Sequence, residues 1–503
     1  MEENQEKKIE IKLERHLWPD ERAALEEKKK KKRNTVVLCL LVVAMLCGSL
    51  LLGVYLGEHS KKQTVISRNQ TPELQRFESI YNTLLKDWYF SSDLDSAKAD
   101  LIDRAVTGMI GTDLDPHSSY MTAEEAEAFT SSIDLGFVGI GVQYQVVDAG
   151  ILIEKIYYGA PAYEAGLRVG DVITEVDHQS IIGWETSEIA SHVQGENGTV
   201  VNITYMRAND INNVDIVRGP VENSIYGEIK GDVGYVEMLQ FSSTAPQEVE
   251  KYLKYFQENG ISRLIIDVRD DGGGYLTSLI GVANLLVERG QIILTQEYTD
   301  GSVVQSVGDG ENVYHFDKVV ILGNSGSASA SEALIGCLTQ NEVATFVGTK
   351  TYGKSTIQVP SYYTDGSALK YTSGIWKTPN GSIINRVGIY PDVEVELHPV
   401  LNMNVVSLQE DETLAFDQVD GRIVVLENCL DFLGYDVDRV DGYFSKSVES
   451  AIRQFQSDYQ LEVTGIINQK TASLLCSEVT RHYSNDTDRY DLQMIKAMEL
   501  VHE

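Results

Sequence analysis

The sequence predicts a multidomain chain. It has a single N-terminal transmembrane helix, an α/β core with an inserted β-rich α+β domain, and a C-terminal domain of three helices. Three observations predict this. Thr35 to Gly57 contains no charged residue. Residues 228–400 alternate short apolar runs of strand type with helical stretches, the pattern of helices layered on a sheet. From residue 421 onward, apolar residues recur at helical spacing behind polar capping residues.

Composition sets the bounds. The chain has 503 residues, room for two to four domains, and 43% of them are hydrophobic. The formal net charge of −33 argues against nucleic acid as a partner. The charge is uneven. Residues 1–57 hold 11 Lys/Arg and 9 Asp/Glu, and the rest hold 31 and 66, a net of +2 against −35. That asymmetry fits a chain that occupies two compartments.

The boundary follows from the first observation. A helix of the 23 residues Thr35 to Gly57 spans about 34 Å, enough to cross a bilayer core. The run "KKKKKR", Lys28 to Arg33, precedes it, so residues 1–34 read as a basic cytoplasmic tail and the remainder as external. A cleaved signal peptide fits less well, because the preceding region is long and no A-x-A-like site follows. A lipoprotein site at Cys47 would need a small residue where Leu46 stands. Of the five cysteines, Cys39 and Cys47 fall in the span. Cys337, Cys429 and Cys476 are an odd three, with no disulfide framework.

Residues 58–130 read as a linker followed by helices. Leu74, Phe77, Ile80, Tyr81, Leu84 and Leu85 share one face of a helical stretch from Glu73 to Gly111. "DPHSSYM", Asp115 to Met121, interrupts it at Pro116. Thr122 and Glu125 form a capping box for the next helix.

Residues 131–217 change character. "GFVGIGVQYQ" is glycine-rich and then alternates as a strand. "GAPAYEAGLRVGDVI", Gly159 to Ile173, reads as a short helix from Pro161 to Ala165, a turn at Gly166 and a strand. The two together resemble a PDZ domain of the kind found in bacterial proteases. The resemblance implies that an extended peptide adds to a sheet edge, with its terminal carboxylate held by backbone N–H groups. Gly136, Phe137, Gly139, Ile140 and Gly141 would supply that peptide-binding loop.

Residues 218–400 carry strand-like runs "VGYVEML", "RLIIDVR", "KVVILGN" and "VATFVG", with helical stretches at Ala245 to Asn259 and Leu276 to Arg289. Two glycine-rich loops leave strand ends, where sites are commonly built. One is "DVRDDGGG", Asp267 to Gly274. The other, "NSGSASASEAL", begins at Asn324 and contains Ser325, Ser327, Ser329 and Ser331. Helix formers follow Ser329, so its hydroxyl would stand at a strand-to-helix junction beside N–H groups able to hold an oxyanion. No histidine lies in a triad setting. His315 and His398, the two within residues 228–400, read as exposed loop histidines. Lys354 in "GTKTYGKSTIQ" is the other candidate base, provided burial lowers its pKa towards neutrality. The same segment matches the phosphate-binding pattern G-x-x-x-x-G-K-[ST]. That pattern needs a helix after the Lys-Ser pair, and "TIQVPSYYTDG" reads as a strand and a turn, so the match is set aside.

"LDPHSSYMT", the PDZ-like run, "IIDVRDDGGG", "SGSASASEAL" and "VGTKTYGKSTIQ" together resemble the carboxy-terminal processing (tail-specific) proteases of the S41 peptidase family, over roughly residues 73–400. The resemblance implies Ser329 as nucleophile, Lys354 as base and Gln358 as the residue that orients it. The oxyanion donors would be the N–H of Ala330 and of Gly273 or Gly274. The chain departs from the family twice. Gly353-Lys354-Ser355 stands where Gly-Lys-Gly is usual, and Asp271-Gly272-Gly273-Gly274 where Asn-Pro-Gly-Gly is usual. Neither removes a catalytic group.

Residues 401–420 read as a polar, acidic linker. In residues 421–478, Val425, Leu426, Leu430 and Leu433 repeat at helical spacing. Ser445 caps a helix that carries Phe444, Val448, Ile452 and Phe455 on one face. Gly465 and Asn468 repeat the turn-and-cap grammar. The "LGY…DGYF…AIRQFQ…LEVTGIIN…T" pattern resembles the peptidoglycan-binding domain 1 family. Nothing there resembles a zinc site, so binding without wall hydrolysis is expected. Residues 479–503 read as a C-terminal tail.

These readings imply a membrane-anchored serine endopeptidase of a bacterial cell surface, with no cofactor and no metal. Its partners would be proteins or peptides with accessible C-terminal tails, peptidoglycan, and the membrane through one helix, with a homodimer left open. The alternative of another class is a catalytically silent PDZ scaffold linking membrane and wall.

Overall fold

The computed structural model describes residues 71–503 apart from residues 95, 111–114, 134–136, 222–223 and 410. The predicted span Thr35–Gly57 and the basic tail lie outside the described residues. Among the described residues, no helix is long and apolar enough to cross a membrane. The chain divides into two compact units, Met1–Leu101 and Ile102–Glu503.

In the first unit, the stretch read as one helix is broken. A helix Pro72–Asp87 starts with proline at its first position and is capped by Thr71 Oγ1, which accepts from Leu74 N. It ends before Trp88, where the backbone turns extended, and a 3₁₀ turn Tyr89–Asp93 follows. The apolar stripe read from the sequence stays exposed at Leu74, Phe77 and Ile80.

The second unit is built on a six-stranded sheet. In spatial order its strands are Ile225–Lys230, Val233–Met238, Arg263–Asp267, Lys318–Gly323, Thr345–Gly348 and Val393–Glu394. The first pair is antiparallel and the rest are parallel. Side chains alternate across a strand, so a covered parallel sheet needs a layer on each face. One face carries Val236, Leu264, Ile266, Val319, Ile321 and Phe346 beneath the helices Ala245–Glu258, Leu276–Asn284 and Ala330–Gln340. The other carries Val233, Tyr235, Ile265, Val320, Leu322 and Val347. It is covered by Met494, Ala497 and Val501 of a final helix, Leu492–His502. The segment 479–503, read as a tail, therefore completes the core.

A second, antiparallel sheet joins Ser119–Met121, Ala368–Lys377, Ile292–Tyr298 and Val303–Val307, with Thr356–Tyr362 also paired to Ala368–Lys377. Its first strand lies just ahead of a helix Ala123–Ile133 that starts with the expected capping box. Thr122 N donates to Glu125 Oε2 at 2.8 Å, and Glu125 N donates to Thr122 Oγ1 at 3.3 Å. That helix runs past residue 131, where the inserted domain was expected to begin.

The insert enters and leaves through a two-stranded ribbon in which Phe137–Gly139 pairs antiparallel with Gly219–Val221. Beyond it, a sheet of Val142–Val147, Gly150–Ile156, Val172–Val176, Val200–Arg207 and Asp210–Val217 closes over the helices Pro161–Glu164 and Thr186–Val193. Ile151, Ile153, Ile173, Ile189, Val201 and Ile203 fill its core.

Three helices, Gly421–Phe432, Lys446–Asp458 and Gln469–Asn485, form the C-terminal domain. Their caps are Asp420, Ser445 and Asn468, each accepting from a first-turn N–H. Residues 401–420 are not a linker. Val406, Leu408 and Leu414 are buried in this domain's core, and Thr413–Leu414 pairs with Ile467–Asn468. Apolar residues two apart in a polar, acidic context gave no helical or strand period long enough to read. The domain is packed against its neighbours. Arg481 donates to Gly170 O of the insert at 3.2 Å, and beyond the domain Arg269 ties the cap of the final helix, Asp491, to Asp267 of the core sheet (2.8 and 2.6 Å). Asp148 of the insert accepts from Ser407 and from Leu408 N. The insert meets the core through Lys155 and Glu237 at 2.6 Å.

Candidate active site

Ser329 stands where the loop after strand Lys318–Gly323 enters helix Ala330–Gln340. Its φ of +57° is uncommon for a residue with a Cβ. Such strain persists only where the surroundings impose it. Here the neighbouring serines do so. Ser327 Oγ is buried, donates to Val268 O at 2.7 Å and accepts from Asn324 N at 2.9 Å. Ser331 Oγ is buried and donates to Asp271 O at 2.9 Å. Ser325 is exposed in the turn. Of the four serines, Ser329 is the one that lines the adjacent cleft.

That cleft has a volume of about 740 Å³, within the usual range for a ligand site. Ser329, Lys354, Gln358 and the loop Gly272 to Gly274 all line it, as do Gln143 and Tyr157 of the insert. Among the described residues, the Ala330 N–H, the first of its helix, has no intrahelical acceptor and no backbone partner. Gly273 has φ +101°, and a Cβ there would come within 2.9 Å of both Ala330 N and Ser329 Cβ. Its N–H, expected to donate to an oxyanion, instead donates to Asp271 Oδ1 at 2.8 Å. Gly273 thus leaves the space beside Ser329 open, with its own N–H already taken.

Lys354 is half-buried just ahead of strand Thr356–Tyr362. Burial first, and then the nearby Lys370 ammonium, hold its pKa below the ordinary lysine value, while Glu332 pulls the other way. Its ammonium and the Ser329 hydroxyl are not hydrogen-bonded to each other. Gly353 precedes it with φ +95°, where a Cβ would strike the backbone N of Gly388 at 2.8 Å.

Glu332 was not singled out from the sequence. It is fully buried and accepts four hydrogen bonds. They come from Ser329 N (3.0 Å), Thr351 Oγ1 (2.6 Å), Gly353 N (2.7 Å) and Lys354 N (2.8 Å). The spacing Ser329-x-x-Glu332 is a capping-box signal for its bond to Ser329 N, though not for its hold on residues 351–354.

Gln358 sits at a break in register between Ile357 and Gln358, a bulge that re-aims a side chain. The resemblance implied that it orients Lys354. Its Nε2 instead donates to Thr372 Oγ1 at 3.1 Å. Thr372 Oγ1 donates to Asp115 Oδ1 at 3.1 Å, and Ser118 Oγ donates to Asp115 Oδ2 at 2.6 Å. The "DPHSSYM" turn thus fixes the strand that carries Gln358.

The two candidate histidines are elsewhere. His315 is exposed, 3.6 Å from Glu288, and His398 lies 3.1 Å from Asp431. The chain after Lys354-Ser355 is a strand, as expected when the phosphate-binding match was set aside.

In the insert, Gly136 lies outside the described residues, and Phe137 and Gly139 belong to the entry ribbon. Ile140 buries its side chain in the insert's core, and its carbonyl accepts from Ala162 N at 2.8 Å. Gly141 has φ +76°, with no room for a Cβ against Ala160. Gly139, Ile140 and Gly141 do not line the Ser329 cleft. Cys337, Cys429 and Cys476 are buried free thiols.

Three family models match the chain. Peptidase family S41 covers residues 232–395, the PDZ domain covers 138–217, and the peptidoglycan binding domain covers 420–475. A "Probable CtpA-like serine protease" of Staphylococcus epidermidis is 32% identical over 414 residues, 82% of this chain and 83% of the relative. Proteins of the same description from Staphylococcus aureus and Staphylococcus haemolyticus are 31% and 30% identical. They match over 84% and 82% of this chain, and over 85% and 82% of their own lengths.

Proposed function

The chain belongs to peptidase family S41 as a serine peptidase with a PDZ domain and a peptidoglycan-binding domain, and on that premise we propose that it is a membrane-anchored endopeptidase working through a Ser329–Lys354 dyad. Ser329 Oγ attacks the scissile carbonyl carbon as Lys354 Nζ takes its proton. The N–H groups of Ala330 and Gly274 would receive the oxyanion. The tetrahedral species collapses to an acyl-enzyme, and the amine leaves with the proton from Lys354. Water, deprotonated by Lys354, then releases the second product and restores Ser329.

The observation that carries this reading is the convergence on one cleft of a strained Ser329 and a half-buried Lys354, each tied by its backbone N–H to Glu332. The open Ser329–Lys354 geometry is compatible with it, because catalytic hydrogen bonds commonly tighten only with substrate. Gln143 and Tyr157 of the insert reach the cleft lining, which supports delivery of C-terminal tails by the PDZ domain. The basic run Lys28 to Arg33 before Thr35–Gly57 supports an anchor with the protease outside the cell, near the wall. The exposed stripe of helix Pro72–Asp87 supports a homodimer.

The test is peptide cleavage and fluorophosphonate labelling of the full chain, with the adduct mapped by mass spectrometry. Labelling at Ser329 and loss of cleavage in a folded Ser329→Ala are expected. Equal loss in folded Ser327→Ala, or an adduct elsewhere, defeats the assignment.

A further inference from the structure

We propose that Lys370 is a specificity subsite that receives a substrate carboxylate beside the scissile bond. The proposal rests on the Ser329 cleft being the place of peptide cleavage. Lys370 lines that cleft together with Ser329 and Lys354. It lies on strand Ala368–Lys377 opposite Pro360, two positions along the ladder from the Gln358–Thr372 pair. That is about 7 Å at a strand's rise, the reach of about two residues of an extended peptide.

Its side chain is half-buried, with Nζ held 4.6 Å from the centroid of the Phe129 ring. A cation over an aromatic face is fixed in direction while its remaining donors stay available. Among the described residues, Lys370 makes no ion pair. Lys377, on the same strand, pairs with Glu297 at 2.5 Å. The chain holds 75 Asp and Glu against 42 Lys and Arg, so acids are abundant, and yet among the described residues none is placed on Lys370. Among the described residues, Asp270 is the one carboxylate in the cleft lining, and its Oδ1 accepts from Asn324 Nδ2 at 2.9 Å. Of the two cleft lysines, one must be neutral to act as a base. Burial holds the pKa of Lys370 below the ordinary lysine value as well, and a half-buried ammonium with no counter-ion among the described residues favours an anionic occupant, which would restore its charged form.

Two sources supply such a carboxylate: the free C-terminus of a tail cut near its end, or an Asp or Glu side chain beside the cut. The experiment uses one peptide sequence in four forms: free acid, C-terminal amide, and amides carrying either Glu or Gln about two residues past the cleavage point. Cleavage is measured with the full chain and with Lys370→Gln and Lys370→Arg. Binding of labelled peptides is measured by anisotropy on Ser329→Ala, with and without Lys370→Gln. One carboxylate form is expected to exceed its neutral twin about tenfold, the yield of one charge-assisted hydrogen bond. That ratio falls to about one in Lys370→Gln and is partly kept in Lys370→Arg. Preference for the free acid assigns the α-carboxylate, and preference for the Glu form assigns a side chain. No carboxylate preference, or a preference unchanged in folded Lys370→Gln, overturns the proposal. If no peptide is cleaved but Ser329→Ala still binds the carboxylate form through Lys370, the subsite stands and the catalytic reading falls.

Discussion

Glu332 holds the backbone N–H of Lys354 at 2.8 Å with the same carboxylate oxygen that holds Ser329 N at 3.0 Å. One buried anion therefore sets the position of both halves of the proposed dyad. It also engages Gly353 N and Thr351 Oγ1 through its other oxygen. Glu332→Gln keeps the volume but places an NH₂ group against N–H donors. Removing hydrogen bonds to a buried charge costs about 1.5–3 kcal/mol, so kcat/KM should fall roughly 10- to 100-fold. A positioning role further predicts a lower kcat and a shifted pH–rate midpoint. A Glu332→Gln protein that is folded and fully active would remove Glu332 from the account.

Asp271 tests how the departure in the glycine loop is tolerated. Burial pushes its carboxyl up to about 8, against the Gly273 N–H, the Ser331 hydroxyl and the Lys155 ammonium, which pull it down. Its Oδ2 is buried without a partner. The sign follows from linkage. The folded state keeps the proton that the unfolded state loses near pH 3.9, so stability drops as pH rises from about 4 to about 8 and is flat above. Asp271→Asn carries no such penalty. It should be more stable by an amount that grows across that window to on the order of a few kcal/mol. Thermal unfolding of both proteins between pH 4 and 9 measures it, and a difference independent of pH contradicts the argument.

The final helix makes a structural prediction. Ala497 is fully buried between Met494 and Val501 on the protease sheet. Ala497→Asp would bury a carboxylate with no partner and should lower stability by about 3 kcal/mol or more. Calorimetry should show the S41 core itself losing stability. A protein that melts like the parent would return residues 479–503 to the status of a tail.

Much of this was legible in the residues. The strand-type runs, the Pro161 helix, the Ser445 and Asn468 caps and the Ser329 junction each have a short-range signal. Each stands in the structure as read. What the sequence hid is long-range. Glu332 looks like any first-turn glutamate until Gly353 and Lys354, some twenty residues later, fold back onto it. Met494, Ala497 and Val501 make a stripe too short to separate from a polar tail. Val406, Leu408 and Leu414 are scattered apolar residues until the three C-terminal helices gather them into one core. The family resemblance offered Gly273 or Gly274 as an oxyanion donor. The Gly273 N–H turned out to be committed to Asp271, a partner only two residues away.

The most direct test of the dyad is the pH dependence of kcat/KM for the full chain, run beside Lys354→Arg and His315→Ala. Burial and the Lys370 charge depress Lys354, so activity should rise with pH as one group deprotonates, with a midpoint below the ordinary lysine value of about 10.4. Arginine stays protonated, so Lys354→Arg should lose roughly 10²- to 10⁴-fold, the usual worth of a general base. His315 is exposed beside Glu288, and its replacement should leave the profile in place. A fully active Lys354→Arg, or a folded and inactive His315→Ala, would contradict the account.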